Sequence, residues 1–287
     1  MPDQTFKTVL YTHVTPEIVR VRMNRPEARN AQDLQLTRDL NDAFDAANQD
    51  DNVKVIILSG EGPHFSSGHD MRGGTGAVFA DFRPVGTWAN FDAPGAEGAM
   101  AREEEIYLQM CRRWRNIPKP MIAEVQGKTI AGGLMLAWVC DIIIAADDAE
   151  FRDLVVSWGI PGVEYFAHPW EMGHRKARQF LYTGDWLSAK DAYRVGMVNE
   201  IVPAAELSQF TEDMARKIAE KPLFGLKMTK EAINQTLDAQ GQWNAMQTVF
   251  VMHTLAHTHW REVNHGRGLY TAEGAAPVPG GGARKPE

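Results

Sequence analysis

Two glycine-containing clusters hold the residues best suited to chemistry in this chain. The first is Ala131-Gly132-Gly133, which follows the apolar run Met121–Val125 and Gly127 and opens a second apolar stretch. Two consecutive glycines at a helix start are unfavourable in backbone entropy, so their presence asks for a reason. The first N–H groups of a helix lack intrahelical partners and favour partial negative charge. If something must approach them closely, they can form an oxyanion hole from backbone alone. Close helix-to-strand packing is the competing reading of the same pair. The second cluster is residues 59–71, S-G-E-G-P-H-F-S-S-G-H-D-M, directly after a β-branched run. Loops leaving the carboxyl ends of parallel strands are where open α/β sheets place their sites, which puts Gly68, His69 and Asp70 where chemistry is expected. A third pattern is His253, His257 and His259, whose first two members stand at i,i+4, a metal-ligand spacing. No glutamate occupies the metalloprotease position between them and the helix is otherwise apolar. Packing or helix-end contact is the expectation there, and no metal site is assigned.

The elements that must position these clusters are readable from hydrophobic periodicity. Residues 9–14 and 18–23 alternate as two strands around a proline-containing turn. The polar loop Asn24 to Ala31, N-R-P-E-A-R-N-A, leads to Asp33, a candidate helix cap. Leu36, Leu40, Ala43, Phe44 and Ala47 then share one helical face. Residues 53–58 form a near-continuous β-branched run, the pattern of a strand buried on both sides. Strand, helix, strand in that order predicts a right-handed parallel crossover. Residues 72–98, rich in glycine, proline and isolated aromatics, form a long excursion that reads equally as a lid or as a disordered insertion. A helix over 102–115, strands at 121–125, 142–146 and 197–202, and helices at 167–183 and 188–195 follow. Ser188 and Asp191 have capping-box spacing. From Ala204 the pattern is helical throughout, and the tail from Gly274 reads as mobile.

Composition bounds the class. With 287 residues, 44% hydrophobic and 23% charged, the chain suits a globular protein with a substantial core. A formal net charge of −7 argues against general nucleic-acid binding. Cys111 and Cys140 are too few for a disulfide framework and read as core thiols. No signal peptide and no membrane-spanning run is recognised, so a cytoplasmic setting without membrane partners is expected. No nucleotide-binding glycine motif is present.

Four ordered motifs resemble the crotonase (enoyl-CoA hydratase/isomerase) superfamily: N-R-P-E-A-R-N-A, F-S-S-G-H-D-M, K-P-M-I-A-E-V-Q-G-K-T-I-A-G-G-L-M-L-A-W-V-C-D, and L-Y-T-G-D-W-L-S-A-K-D-A-Y-R-V-G-M-V-N-E-I-V. The resemblance implies an α/β fold, a crotonase-like ββα spiral core over residues 1–203. A C-terminal helical region used for trimerisation would span 204–273, with the mobile tail at 274–287. It implies an acyl-CoA substrate, coenzyme A entering only as part of that substrate, and a homotrimer or dimer of trimers. It places the two oxyanion N–H donors at His69 and Gly132, where the family generally has a small residue in place of His69. It also brings Arg25, Ala28, Arg29, Ala31, Gly68, Asp70 and Gly133 into the substrate and CoA region, with Lys227 and Lys230 as weaker candidates.

The chain departs from the family at its acid and base. The two glutamates that hydratases of this family carry fall at Met135 and, near Leu154, at Val155, and neither methionine nor valine can transfer a proton. Glu164 is the nearest replacement carboxyl, and His69 reads as a general base or a polar wall. Asp70 is expected to bond backbone N–H groups, Asp153 to point to solvent, and His168 and Glu171 to be structural or solvent-facing. The expected activity is enolate-stabilising chemistry on an acyl-CoA thioester. Hydrolysis through Glu164, or a CoA-binding scaffold without chemistry, are the alternatives.

Overall fold

The computed structural model describes residues 4–72 and 74–264. The tail expected to be mobile, residues 274–287, lies outside the described residues, as does the end of the helical region.

One mixed sheet forms the base. Its strands are β1 (Gln4–Thr5), β2 (Val9–Thr15), β3 (Ile18–Met23), β4 (Val55–Gly60), β5 (Met121–Val125), β7 (Ile142–Ala146) and β10 (Glu200–Val202), lying in that order. The β1–β2 and β2–β3 pairs are antiparallel, and every pair from β3 to β10 is parallel. All six residues of β4 and all five of β5 are buried, as expected of parallel strands covered on both faces. Helix α1 (Leu34–Gln49) makes the β3-to-β4 crossover. Asp33 caps it by accepting from Leu36 N at 2.8 Å, and its face Leu36, Leu40, Ala43, Phe44 and Ala47 is buried against the sheet.

A small second sheet, with order β6 (Lys128–Ile130), β8 (Glu150–Arg152), β9 (Leu187–Ser188), sits beside helix α4 (Gly132–Trp138). Its strands of three, three and two residues are too short to show a period in sequence. The helical remainder is α5 (His168–Thr183), α6 (Ala189–Arg194), α7 (Leu207–Ala219), α8 (Leu223–Ala239) and α9 (Gln242–Val263). Helix α7 covers the other sheet face, where Leu207, Ala215 and Ala219 join Ile57, Ile122 and Ile144. The predicted Ser188 cap is present: its Oγ accepts from Asp191 N at 3.1 Å.

The helix expected over 102–115 begins earlier and is irregular. It runs as α2 (Ala96–Glu103), a π-type turn over Glu104–Gln109, and α3 (Met110–Arg115). Such turns insert a residue into a helix and recur at functional sites. This one carries Tyr107 onto His69 of the second glycine-containing cluster and buries Glu105. The glycine-rich excursion before it is tied down at several points. Glu105 accepts from Val85 N (2.8 Å) and Gly86 N (2.6 Å) and pairs with buried Arg38 at 2.8 Å, and Asp33 accepts from Thr75 N at 2.6 Å. Replacing Glu105 with Gln removes one acceptor and the charge opposite Arg38. Amide exchange at Val85 and Gly86 should then accelerate at least about tenfold, matching a loss of ~1–3 kcal/mol for a buried polar group left unpaired. Unchanged protection there would mean the loop is held by something else.

Candidate active site

Gln32 stitches the two glycine clusters together. Its N–H donates to Gly68 O (2.7 Å), its carbonyl accepts from Asp70 N (2.7 Å), and its side-chain Nε2 donates to Gly132 O (2.7 Å). The loop after β4 is further zipped to β6, where Ser66 O accepts from Ile130 N and Lys128 O from Ser66 N. A Cβ built on Gly68, whose φ is +89°, would stand 3.2 Å from Gly132 N, so the two loops abut. Among the described residues, neither His69 N nor Gly132 N donates to a backbone carbonyl outside the regular elements. Ala131, just before Gly132, has φ 46° and ψ −113°, a conformation that non-glycine residues rarely hold. Its N–H is fixed by Arg152 O at 2.8 Å, so neighbouring structure enforces the strain, as is common at functional sites.

A cavity of about 410 Å³ opens beside this junction, lined on its apolar side by Leu154, Val155, Trp158 and Val163. Its polar wall comes from four separate parts of the chain. His69 stacks flat on Tyr107, with ring centroids 3.7 Å apart, and its Nε2 lies 3.6 Å from Glu164 Oε2. Glu164 Oε1 lies 3.5 Å from His253 Nε2, which is 3.9 Å from Glu103 Oε2. Glu103 Oε1 in turn is 2.9 Å from His257 Nδ1. The other nitrogen of His253 bonds Gly162 O at 2.8 Å; a carbonyl only accepts, so Nδ1 carries the proton and Nε2 presents a lone pair. His69 Nε2, Glu164 Oε2, His253 Nε2 and Glu103 Oε2 are buried atoms with no hydrogen-bond partner among the described residues.

This burial sets the charges. Desolvation, with the Glu103 charge nearby, raises Glu164 well above the usual carboxylate range. Burial opposes ionisation of Glu103 as well, but the hydrogen bond and charge of His257, with His253 and His69 beyond, win and hold it lowered. Desolvation pushes His69 down to about 3. Desolvation and the neighbouring His257 push His253 down to about 4. Burial thus favours the uncharged form of Glu164, His69 and His253, while Glu103 is held toward its carboxylate.

His69, Gly132 and Glu164 are thus brought together as the sequence suggested, with Gly132 packed against the His69 ring. Met135 is fully buried in the core, its sulfur accepting from Tyr165 N at 3.4 Å. A second cavity of about 410 Å³ shares Ser67, His69, Asp70 and Met71 with the first and is lined by Arg25, Ala28, Arg29 and Ala31. Arg29 is exposed at its rim. Arg25 is buried and spent on structure, donating to Ala31 O (2.5 Å) and Asp70 Oδ2 (2.8 Å). Asp70 accepts from Arg72 N at 2.8 Å, as expected.

Several expectations are corrected. Gly68, Gly132 and Gly133 are not among the residues lining either cavity; the missing Cβ of Gly133 makes room for Ser66 O, so that glycine packs helix α4 against the loop after β4. Lys230 is buried and bonds Asp141 Oδ2 (2.8 Å) and Lys119 O (3.1 Å), which removes it as a CoA contact. Asp153 does not reach solvent: it is fully buried against His168, and His168 is a buried structural residue. His253 and His257 are buried and packed ring to ring, as expected, but both also line the first cavity, whereas His259 is exposed on another face of α9. Glu103 was not singled out in the sequence at all. The only signal was the i,i+4 histidine pair, and its carboxylate partner lies some 150 residues earlier in the chain.

A family model described as enoyl-CoA hydratase/isomerase matches residues 14–85 and 92–275. A Mycobacterium tuberculosis protein provisionally named as an enoyl-CoA hydratase is 40% identical over 258 residues, covering 88% of this chain and 81% of the relative. A Mycobacterium smegmatis crystal structure, also provisionally named as an enoyl-CoA hydratase, aligns with TM-score 0.80 and 43% identity over 90% of this chain and 98% of that one. A second M. smegmatis structure, described as a monofunctional enoyl-CoA isomerase, aligns with TM-score 0.64 and 28% identity over 81% of this chain and 94% of the other.

Proposed function

The chain belongs to the enoyl-CoA hydratase/isomerase family, and from that membership we propose an enzyme that stabilises the enolate of an acyl-CoA thioester between His69 N–H and Gly132 N–H. The observation that carries this reading is the Gln32 clamp, which holds the two glycine loops edge to edge beside a cavity lined by the buried carboxyl group of Glu164. As a thioester carbonyl becomes an enolate its oxygen gains charge, and preorganised backbone donors stabilise that charge without reorganising. Val155 lines the cavity and Met135 sits in the core, so Glu164 is the carboxyl placed to move a proton on the acyl chain. The second cavity is our choice for the CoA moiety, with Arg29 as a phosphate partner.

Assembly belongs to the same reading. Tyr182, Phe224, Met252 and Leu255 expose apolar surface on α5, α8 and α9, which suits contact with further copies of the chain as a trimer or dimer of trimers. Among the described residues no helix is long and apolar enough to cross a membrane.

Calorimetric titration with acetyl-CoA, together with turnover of a panel of 2-enoyl-, 3-enoyl- and saturated acyl-CoA thioesters, tests the proposal. Saturable binding, conversion of at least one enoyl thioester, and a Kd raised about tenfold by Arg29→Ala are expected, the last being the size of one charge-assisted contact. Thioester hydrolysis with a covalent adduct on Glu164 would replace this chemistry with acyl transfer. Binding without any turnover would leave a scaffold.

A further inference from the structure

The polar wall of the acyl cavity holds more titratable groups than enolate stabilisation uses. Glu103, His253 and His257 come from the end of α2 and from α9, and neither helix contributes to the two oxyanion loops. Buried unpartnered polar atoms are costly, so a cluster of them facing a cavity needs an explanation. We propose that His253 and Glu164 form the base and acid of a 2-enoyl-CoA hydration reaction, with His253 Nε2 activating water and Glu164 protonating the α-carbon. This inference rests on the acyl-CoA reading and supplies the proton transfers for which Met135 and Val155 have no chemistry.

The geometry favours these roles. The Gly162 carbonyl holds the Nδ1 proton of His253, so Nε2 faces the cavity as a lone pair, ready to accept a proton from water. Among the described residues His69 has no such backbone anchor on its ring and lies flat on Tyr107, which makes it a wall and an oxyanion donor through its backbone. Glu164, 2% exposed, has Oε1 toward His253 and Oε2 toward His69. The charged and titratable groups facing His253 are Glu103 from α2, His257 one turn along α9, Glu164 before α5, His69 after β4, and Asp153 beyond them. Glu103 lies 3.9 Å from Nε2, a little beyond Glu164 Oε1 at 3.5 Å; it faces the imidazolium as that forms, and its hydrogen bond to His257 fixes it in place. It acts through His253 and is a positioning residue.

The steps balance. Water loses a proton to His253 Nε2 as its oxygen bonds the β-carbon. The π electrons of the double bond shift onto the thioester oxygen, giving an enolate held by the two backbone N–H groups. The enolate collapses by taking the Glu164 proton at the α-carbon, leaving a carboxylate beside an imidazolium. The 3.5 Å contact between His253 Nε2 and Glu164 Oε1 returns the proton and restores both groups. The starting pair is neutral, which suits a buried site, and burial holds both groups in the form each role requires.

A divalent cation could also sit among Glu103, His253 and His257, whose ligand atoms lie within 4.8 Å of one another. The geometry speaks for protons, because His257 Nδ1 is already engaged with Glu103 Oε1 at 2.9 Å.

The experiment compares full-length wild type, His253→Gln, Glu164→Gln, the double variant and Glu103→Gln in steady-state hydration of 2-enoyl-CoA thioesters of several chain lengths. Thermal melting and calorimetric thioester binding are followed in parallel. The wild type should hydrate at least one thioester. Each of His253→Gln and Glu164→Gln should lose about 10²–10⁴ in kcat, the usual weight of a general acid or base. The double variant should lose little more than either single one, because the pair acts as a unit. Glu103→Gln should lower kcat and shift the pH profile with KM nearly unchanged. Where a variant melts early, the wild-type profile decides: hydration should persist down toward pH 4, where His253 takes up a proton, and fail on the alkaline side as Glu164 ionises. Hydration within threefold of wild type in a folded His253→Gln overturns the proposal, as does independent, multiplicative loss in the double variant. A stoichiometric divalent metal that survives chelator treatment and is lost in His257→Gln overturns it too. Thioester binding with no hydration by the wild type overturns it while leaving the acyl-CoA reading intact; loss of thioester binding altogether removes both.

Discussion

Gly132→Ala should fold normally and lose about 10²–10³ in kcat toward any thioester the enzyme turns over, the effect of removing one oxyanion donor in a preorganised hole. A Cβ at this position collides with the His69 ring, at both Cδ2 and Nε2. The ring has little freedom to retreat: one face lies on Tyr107 and its Nε2 edge faces Glu164. The new methyl must therefore separate the two loops, and the amides of His69 and Gly132 separate with them. Gly132 is not held in a glycine-only backbone conformation, so the change strains the junction without breaking the helix start. Gly133→Ala is the contrasting control. There the Cβ meets Ser66 O and Ser66 Cβ, which belong to the buried loop after β4. The consequence should be lost stability of ~1–3 kcal/mol from overpacking, with kcat per folded molecule largely kept. Turnover and urea midpoints of the two variants separate these effects. A Gly132→Ala enzyme within threefold of wild type would show that this amide does not face the reacting oxygen.

That contrast marks where the sequence was readable. The parallel core was legible because β4, β5 and β7 are apolar runs bounded by turn residues, and α1 because its apolar positions repeat at helical spacing behind Asp33. The residues of the glycine pair alone marked a candidate site, and it took the family resemblance to put the donor at Gly132 and not Gly133. Ala131-Gly132-Gly133 looks symmetric in sequence, and only three-dimensional neighbours assign His69 to one glycine and Ser66 to the other. The second sheet escaped notice because strands of two or three residues have no period. Of the polar wall, Glu164 was legible as a candidate carboxyl and His253 and His257 only as a spacing; Glu103 and the assembly of the four escaped for a different reason. Glu103 ends an irregular helix, Glu164 follows a glycine-proline loop, and His253 lies on a helix whose other side is apolar and exposed. Each has an ordinary local context, and only the packing of α2 and α9 over the cavity makes them neighbours.

Asp153→Ala should be the most damaging single change to stability, at ~3–5 kcal/mol, because several buried donors lose their one acceptor at ~1–3 kcal/mol each. The residue was expected to point to solvent, yet its side chain has no exposed area. Its Oδ2 takes His168 at 2.9 Å and Val163 N at 3.2 Å, and its Oδ1 takes Val155 N at 3.2 Å. One carboxylate thus ties the segment after β8, the loop carrying Glu164, and the first residue of α5 into a single unit. Truncation leaves all three donors buried and unpaired, and each such group costs ~1–3 kcal/mol before relaxation. Asn at this position keeps one acceptor and should lose roughly half as much. Because Val155 and Glu164 stand on the segments released, loss of protection at Val155 and Val163 amides should accompany any loss of turnover. Urea unfolding of the Asp153→Ala and Asp153→Asn variants, with amide exchange, measures both. A cost under about 1 kcal/mol for the alanine variant would mean that water replaces the carboxylate and that this part of the cavity wall is held by its apolar contacts alone.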